Sequence, residues 1–200
     1  NNAGLLSQGK YSVAIGRRGG YNYQGIYSVA IGYDAGRYTQ GTNTVAIGKS
    51  SGKIKQGSSS VAIGAFAGVN NKRAHSIAIG TQSGQYTQGT YSIALGYSAG
   101  RLSQGAYSVA LGSYAASQHQ SENSVAIGFL AGNYTQGQYA VAIGKTAGSY
   151  KQGQHAVAIG KYAGRYTQGI NTIAIGNNAG RALQGVGSVA IGLTAGDNNQ

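Results

Sequence analysis

The chain is poor in the side chains that catalyse reactions. General acid–base catalysis needs two titratable groups that reach one substrate, yet the only carboxylates, Asp34, Glu122 and Asp197, lie far apart in the sequence. This scarcity argues against a glycosidase or a lyase, because glycoside hydrolysis uses a carboxylate pair. The absence of cysteine excludes thiol catalysis, disulfide scaffolds and zinc fingers. The sequence therefore predicts a protein that is not an enzyme.

The three histidines are the remaining candidates for metal ligands. His75 and His155 fall at the same place in a sequence repeat but five units apart, roughly 24 Å at the spacing of stacked strands, and His119 falls elsewhere in its unit. Metal ligation within one chain is not expected, although a histidine could meet its own copies around a symmetry axis. The tripeptide Gly48–Ser50 resembles the end of a phosphate-binding loop but lacks the glycine five residues earlier. No cofactor is predicted.

A repeat of 16 residues organises the chain. The motif Val/Ile-Ala-Ile/Leu-Gly occurs twelve times without a slip. We number each unit from the residue before this motif, so that Ser12 is at position 1 and a typical unit reads S-V-A-I-G-x-x-A-G-x-Y-x-Q-G-x-Y. A unit this short, with glycine-marked corners, predicts one coil of a β-solenoid. Both ends of the sequence fall within a unit, so we expect residues 1–200 to be a single repetitive segment of a longer fibre protein.

Each coil is predicted to contain two short strands, at positions 1 to 5 and 8 to 13. Alternation in the first strand places Val or Ile at position 2 and Ile or Leu at position 4 on one face, which we expect to form the core. Twelve coils stacked at about 4.8 Å would make a rod of roughly 58 Å. Position 13 is glutamine in twelve of thirteen places, with Lys72 as the exception, and predicts a hydrogen-bonded glutamine ladder.

Alanine at position 3 is predicted to lie on the opposite, outward face of the first strand. Small side chains let two backbones approach closely, so we expect this strip to pack identical rods side by side, with closed symmetry preferred over open fibres. The alternative is that alanine only keeps a tight coil unstrained. The predicted oligomer interface consists of Ala14, Ala30, Ala46, Ala62, Ala78, Ala94, Ala110, Ala126, Ala142, Ala158, Ala174 and Ala190.

Positive charge is in excess, with 15 Lys and Arg against 3 Asp and Glu and a formal net charge of +12. Basic residues concentrate at positions 6 and 10, beside tyrosines at positions 11 and 16. Such stripes could attract phosphates, acidic or sulfated glycans, or a nucleic-acid backbone; the alternative is a solvated face that keeps the rod soluble. The predicted anionic-ligand surface consists of Arg37, Lys53, Arg101, Arg165, Arg181, Lys49, Lys145 and Lys161.

Two coils depart from the repeat, at residues 70–75 and 117–123. In the second, Ala116 and Ser121 replace glycines. These departures change the outer surface locally, so both segments are further candidates for ligand contact.

The S-V-A-I-G coils resemble the head repeats of trimeric autotransporter adhesins of the YadA type, and related repeats in fibre proteins of phages and large viruses. Residues 43–48 and 123–128 come closest to the N-S-V-A-I-G signature. The resemblance covers nearly the whole chain. It implies an all-β, left-handed parallel β-roll that is trimeric, with the S-V-A-I-G strands gathered near the threefold axis.

The predicted function is that of a non-enzymatic fibre or adhesin segment, on a cell or virion surface. It would act as a rigid extracellular spacer whose basic, tyrosine-bearing surface makes many weak contacts. The expected partners are further copies of the chain, as a homotrimer or an end-to-end filament, and a host-surface or anionic glycan ligand; nucleic acid is not expected. A self-assembling structural filament is the main alternative, and an ice-binding solenoid is less favoured because threonine never forms an unbroken ladder. No apolar run approaches the roughly 18 residues of a membrane span.

Overall fold

The computed structural model describes residues 2–198, and these form a parallel β-solenoid. One sheet has twelve strands that pair in chain order, each position lying beside its own copy 16 residues away, as in Ala110 beside Ala126. This register confirms the predicted coil. The strands of this first sheet are Val13–Ile15, Val29–Ile31, Val45–Ile47, Val61–Ile63, Ile77–Ile79, Ile93–Leu95, Val109–Leu111, Val125–Ile127, Val141–Ile143, Val157–Ile159, Ile173–Ile175 and Val189–Ile191.

The second sheet is narrower than the sequence predicts. Its nine parallel strands cover only positions 11 to 13 or 12 and 13, and isolated bridges between glutamines continue the ladder through the first coils. The predicted strand at positions 8 to 13 is too long because positions 7 and 9 adopt positive φ, which ends extended structure. The strands are Ile54–Gln56, Asn70–Lys72, Thr87–Gln88, Ser103–Gln104, His119–Gln120, Thr135–Gln136, Lys151–Gln152, Thr167–Gln168 and Leu183–Gln184.

Alanine, and not valine or isoleucine, fills the interior. The position 3 alanines from Ala30 to Ala174 are all 0% exposed, and they pack with a second buried column at position 8, such as Ala131 and Ala147. The Val and Ile side chains of the same strands point outward and are half-buried or exposed. The prediction of a Val/Ile core was therefore wrong, and so was the prediction that the alanine strip forms the oligomer interface, since that strip has no surface to offer.

The narrowness of the coil explains this inversion. Glutamine at position 13 crosses the interior and donates from Nε2 to the opposite strand, as Gln56 does to the carbonyls of Val45 at 2.8 Å and Ser60 at 3.2 Å. The two sheets are thus separated by a single glutamine side chain. Two branched side chains per coil would overfill that space, which holds alanine, serine and one amide.

The corners rely on left-handed backbone conformations. Glycine at position 9 has φ near +50°, and a Cβ at Gly36 would lie 2.9 Å from Cδ of Gln40. This glycine therefore satisfies both the turn and the space that the glutamine needs. Positions 7 and 16 carry non-glycine residues at positive φ, among them Asp34, Thr146 and Asn178.

Lys72 interrupts the glutamine column. Its side chain lies in the core at 2% exposure, and Nζ donates to Oε1 of Gln88 at 2.6 Å. Burial disfavours the charged amine and lowers the pKa of Lys72 well below its ordinary value.

Candidate functional site

The outward face of the first sheet is a continuous apolar surface. Two columns, Val or Ile at position 2 and Ile or Leu at position 4, run the length of the rod. Even in middle coils these side chains keep solvent exposure, 38% for both Ile93 and Leu95. We call these two columns the valine–isoleucine face. Soluble proteins seldom leave a regular apolar surface of this length uncovered.

The carboxylates and histidines lie apart along the rod. Within residues 2–198, no three His, Asp or Glu side chains come close enough to hold a metal ion. His75 and His155 instead stack on neighbouring tyrosines, with ring centroids 4.8 Å and 5.0 Å apart.

Asp34 organises the basic residues of the first coils. Its carboxylate is 2% exposed and lies 2.8 Å from Nε of Arg18, 3.4 Å from Arg37 and 3.3 Å from Nζ of Lys53. Two of the predicted ligand-binding cations, Arg37 and Lys53, are therefore already paired within the chain. In this corner of the coil, between positions 7 and 10, several cations therefore surround the single carboxylate of Asp34.

Two other position 10 cations also have partners inside the chain. Arg101 donates from Nε to Oε1 of Gln85 at 3.1 Å, and Arg181 pairs with Asp197 at 3.2 Å. Both partners occupy position 10 of an adjacent coil, so each pair lies within the column that the sequence identified, although the pairs themselves were not predicted.

Arg165 has an aromatic environment instead of a carboxylate. Its guanidinium carbon lies 5.1 Å from the ring centroid of Tyr162 and 4.9 Å from that of Tyr166. At position 6, Lys161 also contacts this cluster, with Nζ 5.1 Å from the Tyr162 centroid. Lys145, one coil earlier, is exposed, as is Lys49, whose Nζ lies 5.5 Å from the ring of Phe66.

The tyrosine columns form parallel stacks along the rod. At position 11, Tyr134, Tyr150 and Tyr166 stack with ring centroids 4.9 Å and 5.3 Å apart. At position 16, Tyr91 and Tyr107 stack at 5.3 Å. Because neighbouring rings cover each other's faces, these columns present ring edges and hydroxyl groups to solvent.

The irregular coils border a shallow polar depression beside the second sheet. Its lining includes His119, Ser121 and Glu122 from the second irregular segment, and a neighbouring depression includes Arg73 from the first. The glycine at position 14, as in Gly105, leaves its floor without side chains. Both candidate segments thus lie on an open surface and not in an enclosed pocket.

A family model described as the YadA head domain repeat matches the chain twice, at residues 103–131 and 136–163. Neither a curated protein nor a solved structure gives a match. Among the described residues, no helix has the length and apolar character needed to cross a bilayer.

Proposed function

We propose that these repeats of the YadA head type form a trimeric, non-enzymatic fibre segment in which the valine–isoleucine face of each rod packs against the other copies. The observation that carries this proposal is the outward orientation of both apolar columns. A strip roughly 58 Å long and 10 Å wide is as large as the biggest apolar patches of ordinary monomers. The similarity to YadA-type head repeats supports a trimeric state, and the outward orientation of Val and Ile supports a contact through these columns instead of through the alanines.

The assembled rod would serve as a stiff spacer on a cell or virion surface. Residues such as Lys145 and Lys161, which lie outside the valine–isoleucine face, would stay free for attachment to anionic groups. Identical rigid copies of a weak contact raise overall avidity without a deep pocket. This mechanism agrees with the open depressions beside the second sheet.

Light scattering along a dilution series tests the assembly. We expect a mass of three chains for the parent protein. The double variant Ile127→Lys/Ile143→Lys places two cations on the valine–isoleucine face, and we expect it to dissociate at a concentration at least about tenfold higher. The matched control, Thr135→Lys/Thr167→Lys, adds the same charge on the second sheet and should leave the mass unchanged.

Two outcomes would overturn the proposed assembly. A parent chain that is monomeric at all concentrations would show that the valine–isoleucine face is not covered by other copies. Growth without a limiting mass would favour the end-to-end filament. If no glycan binds on an array at low salt, the attachment role is refuted and only the spacer role remains, since electrostatic binding is strongest at low salt.

A further inference from the structure

The first coils and the last coils use the same corner in different ways. In register, Asp34 corresponds to Tyr162, Arg37 to Arg165, and Lys53 to Arg181, each pair separated by eight repeats. Asp34 and Tyr162 share the left-handed conformation, with φ of 57° and 62°. The backbone hydrogen bonds also correspond. The residue after Arg37 and the residue after Arg165 both lie at position 11, and each donates its N–H to the next coil in the same way.

The first corner carries a carboxylate at position 7, and the second carries a tyrosine there. Around Asp34, one carboxylate is shared by Arg18, Arg37 and Lys53. In the second corner the carboxylate of Asp197 pairs with Arg181, and Arg165 has no carboxylate partner among the described residues. The guanidinium of Arg165 is held between two tyrosine rings, and its buried Nε has no hydrogen-bond partner among the described residues.

Further cations lie close to Arg165 along the rod. Lys161 packs on the same Tyr162 ring, and the backbone N–H of Tyr162 donates to the carbonyl of Lys145 at 2.9 Å, which places Lys145 on the adjacent coil. Equivalent positions on adjacent coils are about 4.8 Å apart, so Lys145 and Lys161 are like charges on neighbouring levels, a destabilising arrangement unless an anion lies between them.

We infer that Lys145, Lys161 and Arg165, with the ring of Tyr162 as their support, bind a sulfate or phosphate ester on a surface glycan, which supplies the negative charge that Asp34 supplies in the first coils. This inference rests on the proposed attachment function and assigns it a site and a chemical group. An ester oxyanion presents several acceptor oxygens, which suits one guanidinium and two ammonium groups. The tyrosine rings hold the guanidinium of Arg165 in position before the ligand arrives.

The sharpest variant supplies the missing carboxylate. Tyr162→Asp recreates the arrangement of Asp34 beside Arg165 and Arg181, so we expect it to fold and to weaken binding of a short heparin oligosaccharide at least about tenfold at low salt. The double variant Lys161→Gln/Arg165→Gln should weaken binding similarly by removing the donors. The controls are Thr135→Asp, which matches the added negative charge, and Lys151→Gln, which removes a cation from the exposed face of the second sheet.

Isothermal titration with the full chain separates the outcomes. Weak binding by both site variants and near-parental binding by both controls would support the inference. Equal losses in the site variants and the controls would overturn the site while leaving an anionic attachment surface, because binding would then follow net charge. No binding by the parent at low salt would overturn the attachment function itself.

Four probes identify the chemical group that is bound. A phosphorylated oligosaccharide and a sulfated one should both bind and both lose affinity in Tyr162→Asp. A single-stranded oligonucleotide and polyglutamate of matched charge should bind less tightly. If polyglutamate binds as well as the sulfated sugar, recognition of an ester oxyanion is wrong; if the oligonucleotide binds best, the partner is nucleic acid and not a glycan.

Discussion

Replacing Lys72 by glutamine should stabilise the rod, because it restores the amide column where the chain interrupts it. In the preceding coil the amide of Gln56 donates to two carbonyls on successive coils of the opposite side, those of Val45 and Ser60. Nζ of Lys72 instead donates to Oε1 of Gln88. The corresponding carbonyls here belong to Val61 and Ser76. Two restored hydrogen bonds at about 1 kcal/mol each give roughly 2 kcal/mol, before any relief of amine desolvation. For a chain of this size that is about 4–8 °C in melting temperature.

The pH dependence gives this prediction a second test. The pKa of Lys72 is lowered in the folded state, so between the folded and unfolded pKa values the unfolded chain binds more protons. The penalty of Lys72 is therefore complete below its folded pKa and fades as pH rises towards the ordinary lysine value. The advantage of Lys72→Gln should shrink over the same range.

Urea unfolding followed by circular dichroism, at several pH values, measures both effects. Lys151→Gln removes the same charge from an exposed position and serves as the control, with an expected change within about 0.5 kcal/mol. A Lys72→Gln protein no more stable than its parent at neutral pH would refute the reasoning. So would an advantage that does not change as the pH approaches the unfolded pKa of lysine.

Two further substitutions test the packing. Ala126→Leu should destabilise the rod by about 3 kcal/mol or more through overpacking, whereas Val125→Leu on the outward face of the same strand should cost under about 1 kcal/mol in the dissociated rod; thermal unfolding compares them. Thr146→Asn should raise stability by about 1 kcal/mol, because a β-branched residue at φ of 59° is strained and Asn178 already occupies the equivalent position; an unchanged melting temperature would show that Thr146 carries no such strain.

The repeat length made most of the fold predictable from the sequence. A constant period of 16 residues fixes which positions stack, so the sheet order and the in-register columns follow without knowledge of side-chain direction. Alternation also divides the first strand correctly into a Val/Ile face and an alanine face. It does not say which face points inward.

That choice depends on the volume inside the coil, and hydrophobicity alone predicted it wrongly. The informative residues were Gly36 and Gln40, or their equivalents: a glycine whose missing Cβ leaves room for a glutamine four residues later. A buried amide that spans the coil implies a space too narrow for Ile or Val. The cation sites were likewise predicted by column, but the pairing of Arg18 and Lys53 with Asp34 depends on contacts between adjacent coils.

Single-cysteine cross-linking tests the inside-out arrangement most directly, because the chain contains no cysteine of its own. We expect Val125→Cys to form disulfides between chains under mild oxidation, and Ala126→Cys to remain a free thiol that reacts with maleimide only after unfolding. Cross-linked chains from Ala126→Cys, together with unlinked Val125→Cys, would show that alanine forms the contact between rods and that the valine–isoleucine columns face the core.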